Sequence, residues 1–162
     1  MTGTLREAAF EDGRAAAELL SRLGLVMPSA DADIQALWRR LWKTNPAFDA
    51  SPRPLSLGWV LEDEGRMVGF FGNIPMLYYM GHHAAFAADA ALWGVEQSHR
   101  EESGRLAQAY FDQTGVDLLF VTTGIKPTGR IFERHGAQRL PQPGFGKIWY
   151  WVADGPGFIA AS

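Results

Sequence analysis

"WGVEQSHREESGRLAQAYF", residues 93–111, starts at the end of an apolar strand, passes through a charged loop and closes as an amphipathic helix. A strand that turns into a helix start is a ready-made anion site, because the first helical turn leaves N–H groups unpaired and its dipole end is positive. Glu101 and Glu102 nevertheless stand in the middle of that loop. Upstream, the longest apolar run, Ala84 to Val95, is broken only by Asp89 and reads as a central strand covered on both faces. Downstream, a helix with Ser103 as N-cap and Gly115 as stop leads to a second buried strand, "VDLLFVTT". A further helix follows in "PTGRIFERHGA", closed by Gly136. Strand, helix, strand in this order implies a right-handed crossover and a parallel pair, Ala90–Val95 beside Asp117–Thr122.

The N-terminal half supplies the covering elements. A short strand at Thr4–Ala8 precedes "EDGRAAAELLSRLGL", where Ala16, Leu19, Leu20 and Leu23 recur at helical spacing between an Asp12 cap and a Gly24 stop. In "DADIQALWRRLWKTNP" the residues Ile34, Leu37, Trp38, Leu41 and Trp42 form one apolar stripe that Asn45-Pro46 ends. A Pro- and Ser-rich loop, "AFDASPRPLS", gives way to a hairpin, "LGWVLEDEGRMVGFFGNI". Gly72-Asn73 then bends the chain into a separate strand, "PMLYYM", and the Gly81-His82-His83 turn leads to the central strand. The chain closes with a short strand at Ala137–Leu140, a Pro/Gly loop and an aromatic strand, "KIWYWVA".

With 162 residues, 47% of them apolar and 12% aromatic, the chain is long enough to bury a core and reads as one domain over residues 1–162. A net charge of −3 and the lack of a Lys/Arg cluster argue against a nucleic-acid partner. No apolar run reaches the roughly 20 residues of a membrane span, and no signal peptide opens the sequence, so a soluble, cytoplasmic protein is expected. There is no cysteine, so chemistry must come from oxygen and nitrogen groups. Dinucleotide, P-loop, zincin and nucleophile-elbow motifs are all missing. His82 and His83 are neighbours whose side chains diverge, which suits solvated turn residues better than a metal site, and no metal is expected.

The order of elements, with "VEQSHREESGRLAQAY", "PTGRIFERHGA", "GNIPMLYYM" and "WRRLWKTNP", resembles the GNAT acyltransferase superfamily over nearly the whole chain. Val95, Arg100, Ser103 and Gly104 occupy or approach the places of that family's acyl-CoA motif. The resemblance implies an α/β fold with a central mixed sheet of about six to seven strands flanked by about four helices. It also implies acetyl-CoA, or another acyl-CoA, as cofactor. The pantetheine arm would lie on the backbone of Trp93, Gly94 and Val95, and the pyrophosphate would meet the amides of Glu101, Glu102, Ser103, Gly104 and Arg105, with Arg100 or Arg105 supplying positive charge. The family prefers glycine at Ser103 and a small residue at Arg105. Phe132 fills the slot in which many relatives carry a tyrosine that protonates the leaving thiolate, so the acid would be water, Tyr110 or another group.

An amine attacks a thioester only as the free base, so a proton acceptor is required. Glu96, just past the central strand, is the first candidate, followed by Asp89 within it and His99 in the loop. The acceptor, an amine of a small molecule or peptide, would lie near Trp38, Trp42, Tyr78 and Tyr79. The other expectation is a GNAT-fold module that binds an acyl-CoA or a protein partner without catalysis. A homodimer is compatible with it, the aromatics Trp149, Tyr150 and Trp151 of the last strand then marking the working surface.

Overall fold

The structure is a computed structural model that describes residues 3–122 and 126–139. A five-stranded sheet runs in sequence order: β1 (Thr4–Glu7), β2 (Gly58–Asp63), β3 (Arg66–Met80), β4 (His83–Val95) and β5 (Leu118–Phe120). The first four strands are antiparallel, and β4 pairs with β5 in parallel. Helices α1 (Gly13–Arg22) and α2 (Asp31–Trp38) precede β2, with α2 running on into a π turn at Arg39–Lys43. Between β4 and β5 lie a 3-10 stretch, Gln97–Glu102, and α4 (Ser103–Phe111); α5 (Lys126–Arg134) follows β5. One further turn, α3 (Pro46–Ala50), sits inside the stretch read as loop, because the Asn45 side chain caps the Ala47 amide and Pro46 is preset for a first helical position.

Strand alternation divides the core into two layers. Val60 and Phe70 join Leu19, Leu20, Trp38 and Trp42 under α1 and α2. Their neighbours Trp59, Leu61 and Phe71 join Leu106, Tyr110 and Phe132 under α4 and α5. The mixed sheet covered by helices on both faces is the expected class, with five strands among the described residues where about six to seven were expected.

Four expectations are corrected. The chain does not bend at Gly72-Asn73: β3 is one 15-residue strand. Gly72 serves close approach instead, since a Cβ there would lie 2.8 Å from the Ala91 carbonyl oxygen. The parallel pair forms at Ala87–Asp89 against Leu118–Phe120, not at Ala90–Val95. Ser103 does not cap α4, because the preceding 3-10 stretch runs directly into the helix and the Ser103 amide donates to the Arg100 carbonyl. Residues 137–139 form no strand. Leu140, the strand "KIWYWVA" and its Trp149, Tyr150 and Trp151 lie outside the described residues.

Candidate active site

The site is set by where β4 and β5 part. Their pairing ends at Asp89 opposite Phe120, and from Ala90 to Val95 the side of β4 turned away from β3 has no strand partner among the described residues. A bulge lies in this stretch: Phe70 pairs with Gly94 and Gly72 with Ala91, so Leu92 and Trp93 together face Phe71. Leu92 takes a φ of 56°, a left-handed conformation that costs a residue with a Cβ about 1–2 kcal/mol. Strain of this kind collects at working sites. A Cβ at Gly94 would lie 2.7 Å from a methyl of Leu23, just past the end of α1, so a side chain there would have to displace it. Val95 is buried beside Leu106, so both positions offer a ligand only their backbone.

Two side chains hold the vertex. The Tyr110 hydroxyl, carried in by α4, reaches the carbonyl oxygens of Ala88 at 2.7 Å and Phe120 at 2.9 Å, sharing its one proton between the two strands where they begin to separate. Burial pushes that phenol's pKa upward, so Tyr110 is a clamp and is unsuited to the proton-donor role the sequence left open for it. Tyr110→Phe is expected to lower stability by about 1–2 kcal/mol, the cost of leaving buried carbonyls without their donor. A urea midpoint unchanged within error would contradict the clamp.

Asp89 is the second. Its carboxylate accepts from the Thr122 hydroxyl at 2.9 Å and the Thr122 amide at 3.2 Å, fixing the chain as it leaves β5. Desolvation raises its pKa above the ordinary aspartate range, and the Thr122 bonds only partly oppose this. Asp89 shares its face of the sheet with Ile74 and Phe120, its register partners, so a half-buried carboxylate stands on a mostly apolar floor.

The other two candidate bases are engaged elsewhere. Glu96 bridges Arg66 at 2.5 Å and Arg22 at 3.2 Å, and the Arg66 hydrogen bond above all lowers its pKa, making it a poor proton acceptor. His99 is buried, with Nε2 3.1 Å from Asp63 and Nδ1 2.9 Å from the Ser98 hydroxyl, and so ties the 3-10 stretch to the end of β2.

In the loop, Glu101, Arg100 and Gly104 are exposed and Ser103 is half-buried. Glu102 turns inward: 8% exposed, it accepts from the Gly3 amide at 3.0 and 3.1 Å and from Arg105 at 2.6 Å, while Arg105 donates to the Gly3 carbonyl at 2.7 Å. This latch to the start of β1 explains the acidic residue in an anion loop. It also corrects the expectation that Arg105 is available to phosphates; of the two glutamates only Glu101 is exposed. Arg100 forms no ion pair among the described residues.

The aromatic residues divide. Trp38 and Trp42 are each 2% exposed, stack at 4.4 Å and donate their indole N–H groups to Gly13 and Asn73 carbonyls. They are core and line no acceptor surface, because the apolar stripe that carries them is the face α2 buries on the sheet. Tyr78, 42% exposed and 6.3 Å from Phe120, stands on the Asp89 face, whereas Tyr79 points to the opposite face. His82 and His83 are exposed at the turn. Phe132 is buried against Phe71, Trp93 and Phe111. The Trp93 Nε1 atom, buried in the same cluster, has no hydrogen-bond partner among the described residues.

No protein-family model and no curated protein matches this chain. Solved structures do. Glucosamine-6-phosphate N-acetyltransferase from Arabidopsis thaliana superimposes with a TM-score of 0.65 at 13% identity, covering 95% of this chain and 100% of its own. A GNAT family acetyltransferase from Staphylococcus aureus gives 0.57 at 14% identity over 94% and 100% of the two chains. The chain has the GNAT fold. A predicted acetyltransferase from Clostridium acetobutylicum, solved with acetyl-CoA, shares that fold at a TM-score of 0.57 and 12% identity over 90% of this chain and 98% of its own.

Within the GNAT fold, acyl-CoA can be tested against the residues present. The side of β4 and the Trp93 N–H that have no partner among the described residues suit an acyl-pantetheine arm, which offers carbonyl acceptors and amide donors. At the start of α4 Gly104 leaves open space, a Cβ there meeting nothing within 4 Å, and Arg100 beside it is exposed and forms no ion pair among the described residues. The engaged Ser103 amide and the Glu102–Arg105 latch reduce what the loop can offer an anion. No helix among the described residues is long and apolar enough to cross a membrane.

Proposed function

We propose that the chain is an acyl-CoA-dependent N-acyltransferase that acylates an amine of a small molecule or peptide, with Asp89 as the proton acceptor. The observation that carries this reading is the parting of β4 from β5 with a desolvated carboxylate at the vertex. Bound acetyl-CoA would supply the acyl thioester. The backbone of Trp93, Gly94 and Val95 would hold its pantetheine arm, and Arg100 would pair with its phosphates. A carboxylate whose pKa is raised is a stronger base than an ordinary one, which suits removal of a proton from an attacking amine. Its apolar floor, with Tyr78 at the rim, favours an acceptor that carries apolar or planar surface beside its amine. Neither Phe132, which has no hydroxyl, nor Tyr110, held by two carbonyls, is placed to protonate a leaving sulfur.

The protein carries no cysteine, so a thiol-reactive dye reads only CoA released by turnover. Acetyl-CoA calorimetry followed by an amine panel in that assay tests the reading. Absence of heat at millimolar acetyl-CoA would sink it.

The latch gives a prediction of its own. Glu102→Ala removes an anion from the phosphate end and frees Arg105, and acetyl-CoA is expected to bind about fivefold tighter, the equivalent of ~1 kcal/mol. The same variant should lose stability in a pH-dependent way. Gly3 and Arg105 hold the Glu102 pKa below its ordinary value, so the stability the latch contributes is present above that ordinary value and lost as pH falls through the lowered one. Melting curves of wild type and variant should therefore converge in acid. Weaker acetyl-CoA binding by the variant would show that the latch supports the site instead of obstructing it.

A further inference from the structure

We propose that the indole N–H of Trp93 is a hydrogen-bond donor to the acyl carbonyl oxygen of the bound thioester; this rests on the acyl-CoA reading above. A buried donor left without an acceptor is uncommon, because it forfeits its hydration for nothing in return. Among the described residues Trp93 Nε1 is such a donor. Its position is set by the β4 bulge, which turns the ring onto the α5 side, 5.0 Å from Phe71 and 5.6 Å from Phe132 by ring centroids. That places it four residues past Asp89, in the stretch of β4 that has no strand partner on one side among the described residues.

Indole N–H donates only, so the complementary ligand atom is an acceptor, and a carbonyl oxygen is a far better one than a thioester sulfur. The aromatic walls lower the local dielectric, so a bond formed there is stronger than the same bond in water. The indole ring is itself only part-buried. As negative charge develops on the carbonyl oxygen during attack, a donor already in place stabilises it. Indole does not give up its proton, so Trp93 adds no acid to the site; with Phe132 beside it, a fixed N–H stands where no hydroxyl does.

The experiment uses the full chain labelled with nitrogen-15. Six tryptophans give six indole signals, and the one lost in Trp93→Phe is Trp93. Adding acetyl-CoA is expected to move that proton downfield, while CoA moves it far less. By calorimetry, Trp93→Phe should bind acetyl-CoA about fivefold more weakly, the loss of one neutral hydrogen bond, and bind CoA within about twofold of wild type. An unmoved Trp93 signal in a wild-type protein that does bind acetyl-CoA would overturn the assignment, and so would equal weakening of both ligands. If the variant fails to fold, the wild-type signal still decides. Failure of wild type to bind either ligand removes the acyl-CoA reading itself, a distinguishable result.

Discussion

Asp89→Asn lowers kcat for acetyl transfer by about 10²–10⁴-fold, the range for removing a positioned proton acceptor, and leaves the protein as stable as before or more so. The two halves of that result follow from one fact. Burial raises the Asp89 pKa, so what this carboxyl contributes to stability is present below the ordinary aspartate pKa and lost as pH rises through the raised one. At neutral pH the ionised group is a burden on the fold, and Asn, which still accepts from Thr122, relieves it. The rate profile carries the same signature. Only ionised Asp89 takes a proton, so kcat falls on the acid side through an apparent pKa above the usual carboxylate range, and that limb is absent in Asp89→Asn. A variant that keeps more than about a tenth of wild-type kcat would assign the proton transfer elsewhere. Glu96 is the comparison: Glu96→Gln should keep its rate, since two arginines hold that carboxylate in its unprotonated form.

Trp42→Ala is expected to cost about 3–5 kcal/mol of stability, enough to unfold a marginal domain. Trp42 is buried under the sheet, stacked on Trp38 and bonded through Nε1 to the Asn73 carbonyl at 3.2 Å, so truncation opens a cavity and orphans an acceptor on β3 together. Urea denaturation measures this directly. The sequence had offered Trp42 as an acceptor residue, for which truncation would change KM. A shifted KM with an unchanged unfolding midpoint would restore that role.

Tyr110 and the loop around Glu102 show where reading the sequence stops. The periodicity of Leu106, Ala107 and Tyr110 places all three on the buried stripe of α4, yet nothing in that pattern says that one hydroxyl ends between two strand carbonyls. Glu102 looks misplaced in an anion loop until Gly3, 99 positions away in the chain, is seen to donate to it. Asp89 was legible in part. A carboxylate inside the longest apolar run requires a reason, and the reason is tertiary: β5 ends beside it and Thr122 turns back to bond it.

Local patterning was sufficient for the order of strands and helices, the parallel crossover and the two-faced burial of β4, because each depends on the period of apolar residues and the handedness of connections. The break in β3 was misread because glycine has the same signature whether it bends a strand or admits a close neighbour; at Gly72 the Ala91 carbonyl makes the choice. Which carboxylate is desolvated, which arginines are paired and which tryptophans are core were decided by the tertiary structure alone. Charge and desolvation act over a few ångströms of space, and residues as distant in sequence as Arg22, Arg66 and Glu96 become neighbours only when the sheet and α1 close on one another.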